Sequence, residues 1–207
     1  VEWGLRWDDQ TYTDLSSDSQ LSPRLNVMLR PWDDTELRLS VGRYQQSQAL
    51  QSLQIEDGIT NYWPAQRADH VIVGVKHLMR NETSVRLEAF HKEIRDVRPR
   101  FENLYDPLGL MPELQADRVR LDPSRAEAHG VELSADQTRG AWTWWASYTW
   151  SEVNDRIGGS NVPRSWDQRH AVQGGIAWHD EVWDFSAAAS IHSGWPRTEL
   201  VLVEDGV

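Results

Sequence analysis

Several groups of residues in the sequence have the types and spacing that chemistry needs. Asp167, Arg169 and His170 come together in the stretch 164–170 and could form an acid-base cluster. At a point where a long loop re-enters a strand, the same residues can instead fix the strand start and solvate a polar rim. His70 beside Asp69, and His91 two residues from Glu93, could supply metal ligands, because residues two apart on a strand share a face. Two His flanking an acid on one rigid element would be a stronger metal signature, and none is evident. Glu56, Asp57 and Gly58, with Asp106, Glu113 and Asp117, offer the hard oxygens that calcium takes, but their spacing matches no calcium loop. The segment 95–125 mixes Arg98, Arg100, Arg118 and Arg120 with Phe101 and Tyr105. Arg and aromatic anchors dominate binding sites, and long loops tend to carry function, so this segment is the candidate for capturing a small-molecule ligand. Asn81-Glu82-Thr83 fits a glycosylation pattern, yet it falls in a short connection and reads as turn chemistry. No phosphate loop, nucleophile elbow or dinucleotide fingerprint occurs. The sequence therefore assigns no catalytic residue, no metal ligand and no cofactor, and the ligand-contacting residues stay open.

Composition narrows the classes further. The chain has no Cys, which removes thiolate nucleophiles, disulfides and Cys-based zinc sites. A net charge of -11 argues against nucleic acid as a partner, since sequence-independent binding needs Lys and Arg to neutralise phosphates. Hydrophobic residues make up 39%, yet 12 residues are Trp, and no apolar run is long enough to span a bilayer as a helix. That combination suits a spanning barrel, in which alternate residues face lipid and a polar lumen.

The elements that must position these residues read as strands of period two. Val1, Trp3, Leu5 and Trp7 share a face; Leu21, Leu25, Val27 and Leu29 follow, then Leu37, Leu39 and Val41. Later strands run through Val71 to Val75, where Ile72 breaks the polar face, Val85 to Ala89 and Val131 to Ala135. Trp142, Trp144, Ala146, Tyr148 and Trp150 oppose Thr143, Ser147 and Thr149, with Trp145 out of pattern, and Trp183 to Ile191 repeats the logic. Connections alternate between tight (31–35, 79–84, 137–141, 179–182) and long (8–20, 47–67, 95–125, 152–168). Membrane barrels have short periplasmic turns and long external loops. The expected fold class is all-β, an antiparallel up-and-down meander of about nine or ten strands forming part of a transmembrane β-barrel. Gly130, Gly174 and Gly175 sit inside strands, where Gly marks a bend or the close approach of a neighbour such as a plug. Both ends look cut: the chain opens within a strand pattern, without an initiator Met or signal peptide, and stops soon after an apolar run begins at Leu200.

The stretches QLSPRLNV (20–27), GRYQQ (42–46), LQIEDG (53–58), PAQRADHVIVGVKHL (64–78), VRLEAFHKEIRD (85–96), AEAHGVEL (126–133), SWDQRH (165–170) and SGWP (193–196) occur in the order found in one family. The chain resembles the C-terminal barrel part of TonB-dependent outer-membrane receptors. The resemblance implies a bacterial outer-membrane location, a barrel of about 22 strands and a separate plug that contacts a TonB-type periplasmic energy transducer. It also implies uptake of a scarce solute such as a siderophore, cobalamin, another metal chelate or an oligosaccharide, with no enzyme activity. On this reading residues 1–207 are a partial barrel domain without its plug, bounded by outer-membrane lipid. Two other classes fit parts of the pattern: a small closed barrel with hydrolase activity at its rim, and a soluble Trp-rich carbohydrate-binding sandwich.

Overall fold

A computed structural model of the chain describes residues 1–9, 20–49, 53, 55, 58–106 and 116–196. Its strands are β1 (Glu2–Asp8), β2 (Gln20–Trp32), β3 (Thr35–Gln46), β4 (Gln66–Leu78), β5 (Ser84–Arg95), β6 (Arg100–Asn103), β7 (Arg118–Leu121), β8 (Arg125–Arg139), β9 (Trp142–Ile157), β10 (Ser160–Pro163), β11 (His170–His179) and β12 (Asp184–His192). Nine of them form the antiparallel path β1-β2-β3-β4-β5-β8-β9-β11-β12; β10 pairs with β9, and β6 pairs with β7 as a separate hairpin. The expected meander is therefore present, while the apolar run at Leu200 lies outside the described residues.

Strand pairing aligns the alternating residues into two unlike faces. Leu29, Leu37, Val75, Leu87, Leu133, Tyr148, Val172 and Ile191 follow one another across successive pairs, so one face carries a continuous apolar band. The opposite, inward face carries Arg38, Ser40, Glu88, Glu132, Ser147 and Gln173. Toward the long connections the band ends in polar residues. That boundary steps down the register by one outward position from Val71 to Ala89, and again from Trp150 to Val172. A level slab of hydrocarbon crossing tilted strands produces such a diagonal boundary.

Among the described residues no second layer covers the band. The only buried hydrophobic residues among those described are Ala65 and Ala126, while Trp3, Leu29, Trp142 and Phe185 are all more than half exposed. A soluble sandwich would bury its apolar face against a second sheet, so that alternative is corrected here. The small closed barrel is corrected too, because β1 and β12 end the path without pairing to each other among the described residues. The structure is part of a transmembrane β-barrel.

Tight turns explain the register. Asp33-Asp34 joins β2 to β3, where a bulge lies between Leu29 and Trp32, and Gly140 supplies a positive φ of 59° between β8 and β9. Between β4 and β5, Asn81 Oδ1 accepts the Thr83 N–H at 3.2 Å and Glu82 takes φ 67°, the Asx chemistry of a turn. Two aromatic residues, Phe90 and Trp145, face inward directly opposite glycines: Phe90 pairs with Gly130 and Trp145 with Gly175. A Cβ at Gly130 would collide with the Trp150 carbonyl oxygen and sit 2.7 Å from the Phe90 ring; one at Gly175 would sit 2.7 Å from Trp145 Nε1. The neighbours that demand glycine thus belong to this chain, the Trp150 carbonyl and the Phe90 ring at Gly130 and the Trp145 indole at Gly175, which corrects the expectation of a plug at those two positions.

Candidate functional site

The long connections hold more order than the sequence reading expected. β9 has 16 residues. At ~3.3 Å per residue and a tilt of about 40° it rises about 38 Å, well beyond an apolar band of about 25 Å. Its upper part, Ser151–Ile157, therefore stands above the lipid and receives β10 on one side and the β6–β7 hairpin on the inward side.

The anchor is Asp155, on the inward face of β9 and only 1% exposed. Arg164, just after β10, donates Nε and Nη2 to its Oδ1 at 3.0 and 2.9 Å, and Arg100 Nη2 lies 2.6 Å from Oδ2. Arg100 also donates Nε to Glu102 at 2.8 Å, and Glu102 accepts a hydrogen bond from the Ser165 hydroxyl. Both guanidinium groups lie over the Trp166 ring, at 5.5 and 5.4 Å from its centroid. Burying a carboxylate costs several kcal/mol unless cations and donors surround it, so Asp155 dictates where both arginines must be.

Beside this network lies a cavity of about 340 Å³ lined by Trp63, Ile94, Arg98, Arg100, Phe101 and Arg164, among others. Arg98 Nη2 reaches the Gln46 carbonyl at 3.4 Å, and the Trp63 N–H donates to Gln48 Oε1 at 3.0 Å, so the end of β3 braces the cavity wall. A second cavity of about 410 Å³ lies across Arg100 and includes Leu104, Val119, Leu121, Ile157 and Val162. Three guanidiniums, those of Arg98, Arg100 and Arg164, gather here beside the buried carboxylates of Asp155 and Glu102. Guanidinium forks beside aromatic faces suit planar oxygen anions such as carboxylates, hydroxamates and catecholates.

Of the arginines expected in the 95–125 loop, Arg98 and Arg100 reach the cavity. Arg118 lies over Phe101, 5.7 Å from its centroid, and Arg120 pairs with Asp122 outside it. Tyr105 is exposed, and its N–H donates to Asp117 Oδ2 at 3.0 Å while Asn103 Nδ2 donates to Oδ1 at 3.0 Å. Those donors hold the Asp117 carboxyl below its ordinary range, the Tyr105 N–H first, and make the residue a hairpin clamp. Of the other acids weighed for calcium, Asp106 is exposed, whereas Glu56, Asp57 and Glu113 lie outside the described residues. Arg164, Trp63 and Asp155 were missed as site residues. Asp155 alone left a trace in the sequence, keeping the inward phase of Thr143, Ser147 and Thr149.

Of the possible acid-base cluster, Asp167 and Arg169 stay together and fix the strand start, while His170 lies apart. Asp167 accepts the Val153 N–H at 3.1 Å and pairs with Arg169 at 3.4 Å, while His170 Nδ1 bonds the Tyr148 hydroxyl at 2.9 Å on the outward face. Asp69 and His70 also part: Asp69 pairs outward with Arg43 at 2.7 Å, and His70 packs inward against Tyr44 at 4.6 Å. His91 and Glu93 share the outward face, but Arg95 and Arg125 engage Glu93 at 3.1 and 3.0 Å.

A family model described as TonB dependent receptor-like, beta-barrel, matches residues 2–198. The chain belongs to that family. Among solved structures the receptor chain is similar to the FrpB iron transporter from Neisseria meningitidis (F3-3 variant), at 16% identity and TM-score 0.56, covering 83% of this chain and 26% of that one. It is likewise similar to the alcaligin outer membrane receptor FauA from Bordetella pertussis, at 13% identity and TM-score 0.56, covering 86% of this chain and 30% of that one. FpvA from P. aeruginosa bound to heterologous pyoverdines matches at 14% identity and TM-score 0.57, covering 84% and 23%. The chain thus spans about a quarter to a third of the length of these structures, and at such identities the likeness shows the fold. No curated protein sequence matches it.

Proposed function

We propose that the chain forms part of the wall and outer mouth of a bacterial outer-membrane receptor that imports an anionic solute, a siderophore or other metal chelate being the best fit. The carrying observation is the Arg98, Arg100 and Arg164 cavity, walled by Trp63 and Phe101, at the long-connection end of a lipid-facing sheet. Its guanidinium N–H groups would bind an anion from solution, and the aromatic faces would hold the ligand body. In this reading the free edges of β1 and β12 pair with further strands of the same barrel, because unpaired backbone groups in hydrocarbon cost several kcal/mol each. A plug domain elsewhere in the receptor would fill the lumen and engage the TonB-type energy transducer, and no catalytic residue is required of this wall.

The test is quenching of intrinsic Trp fluorescence in the detergent-purified receptor during titration with ferric chelates of graded charge. Saturable quenching by anionic chelates is expected, with about tenfold weaker affinity in Arg98→Ala, the loss of one charge-assisted contact. Equal response to neutral and anionic chelates, or an unchanged Arg98→Ala, would refute the anion reading.

A further inference from the structure

His91 on β5 and His129 on β8 stand directly opposite each other on the outward face. Glu127 lies two residues before His129 on the same strand and face, and the ligand atoms of the three side chains all come within 4.8 Å of one another. His91 Nδ1 is 3.6 Å from Glu127 Oε1. On the far side Glu152 of β9 is the register partner of His129, its Oε2 4.0 Å from His129 Nε2. Two adjacent strands therefore gather two imidazoles and one carboxylate at one spot, and a second carboxylate, on β9, approaches His129. The row sits one outward position above Ala89, Val131 and Trp150, where the apolar band gives way to polar residues.

We propose that His91, Glu127 and His129 bind Zn²⁺ on the outer wall of the barrel, with Glu152 or water in the fourth position. Zinc takes imidazole nitrogen and carboxylate oxygen at about 2.0–2.2 Å, which puts tetrahedral ligands about 3.3–3.5 Å apart. The three groups need move together by no more than about 1 Å, a side-chain adjustment on a sheet whose backbone is already fixed. Mixed imidazole and carboxylate ligation favours zinc and its transition-metal neighbours over calcium and magnesium, which take all-oxygen sets. Competition from nearby cations is weak: Arg95 and Arg125 are engaged by Glu93, and Glu127 has no guanidinium partner among the described residues. Glu152 is shared, since Arg169 Nη1 lies 3.1 Å from it, so it is the exchangeable fourth ligand. His129 is held from the other side by the Trp150 ring, edge-on at 5.8 Å. The ion would clip β5, β8 and β9 together where the sheet leaves the lipid. This site shares no residue with the Arg-lined cavity, and it stands whether or not that cavity takes a chelate.

The experiment titrates ZnCl₂ against the detergent-purified receptor by competition with a zinc-responsive fluorophore, alongside Co²⁺ absorption spectroscopy. One high-affinity equivalent and the visible bands of tetrahedral Co²⁺ are expected. Affinity should fall at least about tenfold in His91→Ala and in His129→Ala, should fall in Glu127→Gln, and should hold in His170→Gln, an outward control in another row. Electrophoretic heat-modifiability confirms that each variant is folded, and excess CaCl₂ should not displace the ion. Zinc binding equal in wild type and in the folded His91→Ala/His129→Ala double variant would overturn the proposal, as would the absence of a tight equivalent in wild type.

Discussion

The two halves of β9 obey different rules although they are one continuous strand. From Trp142 to Trp150 the outward residues find no neighbour beyond the adjacent strands among the described residues, and Trp142 is 52% exposed. From Ser151 to Ile157 the strand supports β10 and the β6–β7 hairpin, and Asp155 is 1% exposed within a cage of two arginines. Lipid takes the place of a core for the lower half, whereas the upper half builds its own from ions and hydrogen bonds. Position relative to the bilayer, more than the sequence of the strand, decides which interactions hold it.

The largest effect that would break this contrast lies in the upper half. Arg164→Ala leaves Asp155 buried with one cation fewer and should cost about 3–5 kcal/mol, read as a lowered urea midpoint and protease cleavage in the 95–125 loop. In the lower half, Leu133→Arg places a charge in the band and should cost about 2–4 kcal/mol, while Ser134→Arg, facing inward, should cost far less. Similar costs at the two positions would mean that the outward face does not meet hydrocarbon. Gly175→Ala forces a methyl against the Trp145 indole and should cost about 1–3 kcal/mol. Adding Trp145→Ala should relieve much of that penalty in a double-mutant cycle, sharpening the view that inward aromatics replace side chains the glycines lack.

The smallest effect is pH-dependent. Asp117 has its folded value lowered by its N–H donors, so its contribution to hairpin closure is complete above the ordinary carboxylate range and is lost as pH falls through that lowered value. The protection of the Tyr105 N–H against exchange, relative to its intrinsic rate at each pH, should therefore fall in acid, and Asp117→Asn should flatten that dependence. A protection factor unchanged across the acid range would remove Asp117 as a clamp.

Alternation made the lower halves of the strands legible, because lipid on one side and a polar lumen on the other impose opposite chemistry on neighbouring residues. Above the lipid that contrast vanishes. Ser151, Glu152, Asn154 and Asp155 are polar on both faces, so the strand was expected to end at Trp150 and continues to Ile157. β6 and β7 have four residues each, RFEN and RVRL, too few and too charged for a period to show. The Arg cavity was legible only in its 95–125 loop members, since Trp63 and Arg164 arrive from other loops. His91 and His129 lie on neighbouring strands that are separated in sequence by residues 96–124, so their juxtaposition depends on a register that no local pattern reveals.

The absence of Cys makes one measurement direct. Single cysteines placed in turn from Thr143 to Thr149, spin-labelled in the receptor reconstituted in liposomes, report collisions with oxygen from lipid and with a nickel chelate from water. Oxygen contact should peak at positions 144, 146 and 148, and nickel contact at 143, 147 and 149. Equal exposure of both sets to the nickel chelate, or a folded protein that stays in solution without lipid, would contradict a lipid-facing apolar band.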